Sequence, residues 1–199
     1  MAPAHQIAVL GDSLAISPSR ESNFAAELQA RLNKTHPGWT IVNHGLRGDT
    51  TSGGLHRIDY ALAGHPKVLI LELGANDGLR GADVGMVERN LAAMIERAES
   101  RGAHVLLCGM ETPPLRGWNY TMAFHDVFPR LAATYKVPLV PFLLEGVAFR
   151  GNLNYDGIHP NAAGARMVAE NVWPYLERLV ARLQTRPTPS TTTARVPTE

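Results

Sequence analysis

The chain has 199 residues, of which 45% are apolar and 19% are charged, and its formal net charge is +1. Such a chain is long enough for one well-buried domain and short for two. The small net charge excludes strong electrostatic attraction to nucleic acid or an anionic membrane, so we expect neither as a partner. The single cysteine, Cys108, excludes an internal disulfide framework and a multi-cysteine zinc site.

Five short apolar runs predict buried strands in chain order. They lie at residues 7–10, 40–43, 68–73, 104–108 and 137–140. Their continuous apolar character is typical of strands that are covered on both faces. We expect the last strand near an edge of the sheet, because it contains Pro138.

Amphipathic segments between the strands predict helices. Apolar residues recur at helical spacing over residues 24–32, 84–98 and 124–131, and a final helix is expected over about 161–183. Asp83 is a candidate N-cap, and Gly102 is a candidate stop. Pro129 is expected to kink or break its helix, and Pro174 to bend the last one. The alternation of strands and helices predicts an α/β fold with a parallel sheet.

The two ends of the chain bear on location and domain limits. No apolar run is long enough to span a bilayer, so we expect no stable membrane insertion. The start shows no basic segment followed by an apolar one, which predicts a cytoplasmic protein as the sequence stands, or a periplasmic or secreted one if an export signal was removed. After Gln184 the chain is rich in proline and threonine. This composition predicts one domain over residues 1–184 and a disordered tail over 185–199.

Polar residues collect in four loops that follow predicted strands. These loops span residues 11–14, 45–50, 74–78 and 155–160. In an open parallel sheet the carboxyl ends of the strands meet at one rim, where ligands bind. The four loops together supply each group that ester hydrolysis requires: a nucleophile, a base, a group that orients the base, and donors for the oxyanion.

Three of these residues are candidates for a catalytic triad. Ser13 is the candidate nucleophile, in a tight turn that Gly11 permits directly after the first strand. His159 is the candidate general base, because an imidazole accepts a proton near neutrality. Asp156 lies three residues earlier, near enough to fix the tautomer of the ring and stabilise the imidazolium. Pro160 disfavours helical geometry at His159, which predicts that the histidine lies in a loop.

Further residues are candidates for the oxyanion hole and the substrate site. The proposed oxyanion donors are the backbone N–H groups of Ser13 and Gly48 and the side-chain amide of Asn76. The candidate substrate-binding residues are the apolar side chains in the loops after the third and fourth strands, namely Leu79, Leu115, Trp118 and Tyr120. Their apolar character favours an acyl or aryl group over a sugar phosphate.

Each motif also has a structural interpretation when it is taken alone. A serine after a glycine is common in turns, and residues 156–160 are compatible with a simple capped turn before a helix. The coincidence of four complementary roles at one predicted rim favours the catalytic interpretation. The histidines other than His159 lack metal-ligand spacing, so we expect no metal and no other cofactor.

Taken in order, the four blocks resemble those of the G-D-S-L family, also called SGNH hydrolases. The blocks are Gly11-Asp12-Ser13-Leu14, residues 45–51, residues 74–78 and residues 156–161. Within that family the chain is most similar to the small bacterial branch of thioesterase I, lysophospholipase and arylesterase. The resemblance implies a three-layer α/β/α, flavodoxin-like fold with five parallel strands, and a shallow, open site. It also implies a Ser13–His159–Asp156 triad, with Ser13, Gly48 and Asn76 around the oxyanion.

The sequence therefore predicts a serine esterase for short- to medium-chain acyl or aryl esters, with thioesters and lysophospholipids as further candidates. A carbohydrate O-acetyl esterase with the same triad is the nearest alternative. An α/β-hydrolase is disfavoured by Ala15, which stands where the nucleophile elbow of that fold has glycine. A nucleotide-binding module is disfavoured because no glycine-rich phosphate-binding motif follows the first strand. The oligomeric state stays open.

Overall fold

Five parallel strands form one sheet in the computed structural model, which describes residues 5–185. The strands are β1 (His5–Gly11), β2 (Trp39–Asn43), β3 (Val68–Glu72), β4 (His104–Cys108) and β5 (Leu139–Val140). Their order across the sheet is β2-β1-β3-β4-β5. The predicted tail lies, apart from Thr185, outside the described residues, so the domain limits stay a prediction.

The centre of the sheet is formed by β1 and β3. Ile7 of β1 pairs with Ile41 on one side and with Val68 on the other. The side chains of residues 7–10 and 68–71 have no solvent exposure. Burial on both faces explains why these runs are apolar without alternation. The chain order reverses between β1 and β3, and ligands bind at such a switch point in open α/β sheets.

Within residues 5–185 there are six α-helices, and five of them cover the two faces of the sheet. The six helices are α1 (Phe24–Thr35), α2 (Thr51–Leu62), α3 (Ala75–Arg80), α4 (Val84–Ser100), α5 (Trp118–Tyr135) and α6 (Ala162–Gln184). One layer contains α1 packed against α6, and the other contains α4 packed against both α2 and α5. The predicted three-layer α/β/α fold with five parallel strands is confirmed.

Side-chain caps begin α4 and α6, and the cap of α4 is the predicted Asp83. The side chain of Asp83 accepts a hydrogen bond from the backbone N–H of Met86 at the start of α4. The side chain of Asn161 likewise accepts from Ala163 and Gly164 at the start of α6. Side-chain oxygens satisfy backbone donors that otherwise have no partner in the first helical turn. These contacts fix where α4 and α6 begin.

Two helices were not predicted by the sequence patterns, and two helices, α5 and α6, contain an internal proline. α2 contains Gly53 and Gly54, which lower helix propensity. An added Cβ at Gly54 would lie 2.2 Å from Cδ1 of Leu73, so the glycine permits close packing of α2 on the end of β3. α3 is only six residues long and lies where the sequence indicated a turn. α5 continues through Pro129 instead of ending there, and it is held by buried residues such as Phe128.

No helix within residues 5–185 is long and apolar enough to cross a membrane. The same range contains no group of three or more His, Cys, Asp or Glu side chains that could hold a metal ion. Cys108 is fully buried, and burial raises the pKa of its thiol. The thiol therefore has the environment of a core side chain rather than that of a reactive one.

Candidate active site

Ser13 lies just beyond the carboxyl end of β1. It precedes a short 3₁₀ turn, Leu14–Ile16, whose three side chains are buried. The turn is tight because Gly11 has no side chain: an added Cβ there would lie 2.3 Å from Oε2 of Glu72 and 2.8 Å from Cβ of Ala15. Ser13 itself is 8% exposed. The core thus fixes the backbone of the serine while its hydroxyl stays at the surface of the sheet edge.

A chain of hydrogen bonds links Ser13 to the loop before α6. Ser13 Oγ lies 2.9 Å from Nε2 of His159, although the two residues are 146 positions apart in sequence. Nδ1 of His159 lies 2.7 Å from Oδ2 of Asp156. A carboxylate can only accept, so Nδ1 carries the proton and Nε2 is the acceptor for the serine hydroxyl. The three predicted triad residues are therefore brought together in the arrangement that proton transfer from serine requires.

The loop that carries Asp156 and His159 is built from its own hydrogen bonds. Oδ1 of Asp156 accepts from the backbone N–H of His159 at 2.8 Å and of Ile158 at 3.1 Å. Gly157 has a φ of +94°, a conformation that favours glycine. The backbone hydrogen bond from His159 is the main reason that the pKa of Asp156 is lowered to about 2. Asp156 is consequently a carboxylate throughout the neutral range.

The candidate oxyanion donors come from three separate elements. Asn76 lies in the first turn of α3, and its Nδ2 donates to Oδ2 of Asp12 at 3.0 Å. An amide nitrogen carries two hydrogens, so the second is available for another acceptor. Gly48 is exposed and has a φ of +73°, and its carbonyl accepts from Nη2 of Arg80 at 3.1 Å. The third donor, the backbone N–H of Ser13, belongs to the turn after β1.

Two buried carboxyl groups lie beneath the nucleophile. The sequence analysis assigned no role to either of them. Asp12 is fully buried, and its Oδ1 accepts from the backbone N–H of Leu14 at 2.8 Å. Burial raises the pKa of Asp12 to about 6. Glu72 is also fully buried, and its Oε2 accepts from the N–H of Asp12 at 3.2 Å. Burial raises the pKa of Glu72 well above its usual range.

Glu72 could have been noticed in the sequence, because it is the single charged residue of the apolar run over residues 68–73. Its Oε1 makes no hydrogen bond within the described part of the chain. Unpaired charges are rarely tolerated at such depth. Burial and the lone oxygen both disfavour the charged form of Glu72, in line with its raised pKa.

A cavity of about 390 Å³ is lined in part by residues that adjoin two candidate site residues in sequence. Its lining includes Ala75, the neighbour of Asn76, and Ile158, the neighbour of His159. Another part of the lining comes from the segment after β5, with the apolar Phe142, Leu144, Ala148 and Phe149 beside the charged Glu145 and Arg150. This segment received no role in the sequence analysis, because it contains no motif.

Of the four side chains predicted to bind substrate, Leu79 lines this cavity. Leu115, Trp118 and Tyr120 are not among its lining residues. Leu115 lies in a 3₁₀ turn and Trp118 begins α5, and the two are 83% and 70% exposed. The hydroxyl of Tyr120 donates to the carbonyl of Ala82 at 3.0 Å and so ties α5 to the loop after α3. For these three residues a role in substrate binding stays a prediction.

Comparison with known proteins places the chain among ester hydrolases. Residues 9–167 match the GDSL-like lipase/acylhydrolase family. Esterase TesA of Pseudomonas aeruginosa is 42% identical over 183 residues, which cover 90% of this chain and 91% of that protein. The arylesterase of Vibrio mimicus is 35% identical over 85% of this chain and 86% of its own length. The Escherichia coli protein named thioesterase 1/protease 1/lysophospholipase L1 is 35% identical, with coverage of 90% and 86%.

Solved structures agree with this assignment. A crystal structure of TesA superposes with a TM-score of 0.82 at 41% identity and covers 88% of this chain and 99% of its own. The SGNH-hydrolase family esterase AlinE4 superposes with a TM-score of 0.73 at 34% identity, with coverage of 94% and 100%. The chain therefore belongs to the GDSL-like lipase/acylhydrolase family and is a carboxylic ester hydrolase of that family.

Proposed function

We propose that the protein hydrolyses short- to medium-chain acyl or aryl esters through an acyl-enzyme on Ser13. The observation that carries the proposal is the chain of two hydrogen bonds from Ser13 through His159 to Asp156, at 2.9 and 2.7 Å. A serine hydroxyl is a weak nucleophile until a base accepts its proton. The position of Nε2 against Oγ supplies that base, and the carboxylate on the far side of the ring stabilises the imidazolium that forms.

Acylation follows from this geometry. Oγ of Ser13 attacks the ester carbonyl carbon as its proton passes to Nε2 of His159. The resulting tetrahedral intermediate carries a negative oxygen, which accepts hydrogen bonds from the N–H groups of Ser13 and Gly48 and from the amide of Asn76. When the intermediate collapses, the proton on Nε2 passes to the leaving alcohol oxygen and the acyl group stays on Oγ.

Deacylation repeats these steps with water as the nucleophile. His159 takes a proton from the water, which attacks the acyl carbon of the ester on Ser13. The same three donors hold the second oxyanion. Collapse of this intermediate returns the proton to Oγ and releases the carboxylic acid. Asp156 keeps its charge throughout, because its pKa of about 2 lies far below neutral pH.

The substrate range is inferred from the cavity and from the openness of the triad loop. The apolar lining beside His159 and Asn76 suits an acyl chain or an aromatic ring. The side chains of His159 and Asp156 are 35% and 55% exposed, so alcohol groups of varied shape can leave toward solvent. Relatives named esterase, arylesterase and thioesterase/lysophospholipase make thioesters and lysophospholipids further candidate substrates.

The substrate class is tested by measuring kcat/KM on p-nitrophenyl esters from acetate to decanoate, together with acetylated xylan and glucose pentaacetate. We expect turnover of the simple acyl esters with a preference inside the short-to-medium range. Hydrolysis of acetylated sugars with none of simple acyl esters would instead support a carbohydrate O-acetyl esterase.

The nucleophile is tested with a fluorophosphonate probe and two serine variants. Ser13→Ala is expected to lose labelling and to reduce kcat by about 10⁵- to 10⁶-fold, since the acyl-enzyme cannot form. Its thermal unfolding should be nearly unchanged, because within residues 5–185 the hydroxyl bonds only the partly exposed His159. Ser100→Ala, an exposed residue of α4, is the matched control and should label normally. Labelling of Ser13→Ala at the wild-type level would reject Ser13 as the nucleophile.

A further inference from the structure

Phe149 combines two unfavourable features at the mouth of the cavity. Its φ is +58°, in the left-handed region that bulky side chains rarely adopt. Its aromatic side chain is also 72% exposed to water. Strained backbone persists only where the surrounding structure enforces it, and it collects at functional sites. The combination calls for an explanation, because packing does not supply one.

Hydrogen bonds hold Phe149 in this conformation and tie it to the triad loop. Its backbone N–H donates to the carbonyl of Gly157 at 2.7 Å. The buried side chain of Asn154 donates to the carbonyls of Val147 and Arg150, each at 2.8 Å. The same side chain accepts from the N–H of Gly157 at 2.6 Å. The turn that presents Phe149 and the loop that carries Asp156 and His159 therefore form one hydrogen-bonded unit.

The ring lies over Gly157 and faces the cavity. A Cβ added to Gly157 would lie 3.3 Å from Cδ1 of Phe149, which is close contact. Phe149 lines the cavity together with Ile158, which directly precedes His159. The ring and the segment that carries the base therefore contribute to the same cavity.

The cavity has a buried floor and exposed apolar edges. Met110 and Leu144 in its lining are 2% and 5% exposed, whereas Leu79 and Phe149 are 40% and 72% exposed. A bound acyl chain would cover both edge residues and remove their apolar surface from water. Apolar contact of this kind stabilises binding in proportion to the area buried. A two-carbon acetyl group is too short to contribute much of it.

We infer that Phe149 determines the acyl-chain-length preference of this enzyme, by packing its ring against acyl chains longer than acetyl. The inference rests on the proposed function, since it requires an acyl ester bound at Ser13. The strained backbone places the ring of Phe149 over the loop that carries Asp156 and His159. An acyl chain that contacts the ring is therefore also correctly placed for attack by Ser13. Phe149 is then a specificity residue and takes no part in proton transfer.

The test compares chain-length profiles of two Phe149 variants. Phe149→Asn removes the ring and keeps the backbone, because asparagine adopts the left-handed conformation readily. We expect its kcat/KM for p-nitrophenyl octanoate to fall about tenfold, the effect of about two methylene groups of apolar contact. Its kcat/KM for p-nitrophenyl acetate should stay within about twofold of wild type. Phe149→Leu keeps an apolar side chain and should retain most of the octanoate activity.

The control is Tyr60→Ala, which removes an aromatic side chain of equal exposure, 72%, from α2. This variant should leave the octanoate-to-acetate ratio unchanged. An equal loss on acetate and octanoate in both Phe149 variants would overturn the inference, since it would mean that the residue only holds the triad loop. An unchanged ratio in Phe149→Asn would overturn it as well. The proposed function survives either result, whereas it fails if wild-type protein hydrolyses no simple acyl ester.

Discussion

The two sides of the proposed triad lie in opposite environments. Ser13 stands between the fully buried Asp12 and the buried Leu14 at the end of a central strand. Asp156 and His159 lie on a surface loop with side chains 55% and 35% exposed. The pKa values of the two aspartates, Asp12 and Asp156, are shifted in opposite directions. Burial raises the pKa of Asp12 to about 6, whereas the backbone N–H of His159 lowers the pKa of Asp156 to about 2.

This difference separates two ways of positioning a catalytic group. The nucleophile is fixed by core packing, because the three side chains of the turn that follows Ser13 are all buried. The base is fixed by local hydrogen bonds, most of them within residues 154–159. Changes in the exposed loop should therefore affect activity with little effect on stability, and changes beneath the nucleophile should affect both.

The largest expected effect in this comparison comes from Asp156→Asn. The substitution removes the carboxylate that fixes the tautomer of His159, so kcat should fall by about 10³- to 10⁴-fold. The midpoint of thermal unfolding should change little, because Asp156 is a surface residue. Kinetics on p-nitrophenyl butyrate and calorimetry measure the two effects. Asp126→Asn, an exposed residue of α5, is the matched control. A kcat within tenfold of wild type would contradict the role of the carboxylate.

The fold was largely predictable because its strands are continuous apolar runs and its long helices carry clear stripes and caps. Val84–Ser100, with Asp83 at its N-cap, illustrates how local signals suffice. α2 was missed because tertiary packing at Gly54 outweighs the poor helix propensity of two adjacent glycines. Local pattern cannot reveal that packing, since Leu73 approaches from a different element.

The site residues likewise divide into those that short sequence motifs reveal and those that they do not. The triad candidates could be found because serine, histidine and aspartate followed strands or preceded a helix in short motifs. The cavity wall could not, because Phe149 and Leu144 belong to a segment without any motif. Leu115 and Trp118 were chosen for their apolar character, and both are exposed at or next to the turn Pro114–Arg116, so their role in binding substrate stays a prediction. Composition identifies apolar side chains but does not give their direction.

A smaller effect is expected on the buried side, from Asn76→Ala. The substitution removes one donor of the proposed oxyanion hole, so kcat should fall by about 10²- to 10³-fold with KM nearly unchanged. It also leaves Oδ2 of the buried Asp12 without the amide hydrogen bond, so some loss of stability should accompany it. Asn33→Ala, an exposed residue of α1, is the control. Loss of stability without loss of kcat would contradict the oxyanion role and leave Asn76 with a structural one.

The smallest effect on activity, and the sharpest on pH dependence, is expected from Glu72→Gln. The folded state raises the pKa of Glu72, so it binds a proton more tightly than the unfolded chain does. The contribution of Glu72 to wild-type stability is therefore fully present below the pKa that Glu72 has in the unfolded chain. This contribution is lost as the pH rises through the pKa that Glu72 has in the folded protein. Glutamine cannot ionise, so this loss of stability with rising pH should be absent in the variant.

Urea unfolding from about pH 5 to about pH 9 measures this difference. The variant should gain stability relative to wild type as pH rises. Its kcat on p-nitrophenyl butyrate should stay within a few-fold at neutral pH, because a carboxyl group and an amide have similar shape. Glu21→Gln, at an exposed position, should leave the pH dependence as it is in wild type. Parallel stability curves for Glu72→Gln and wild type would mean that Glu72 is ionised in the folded protein, and that burial beneath Ser13 does not control its charge.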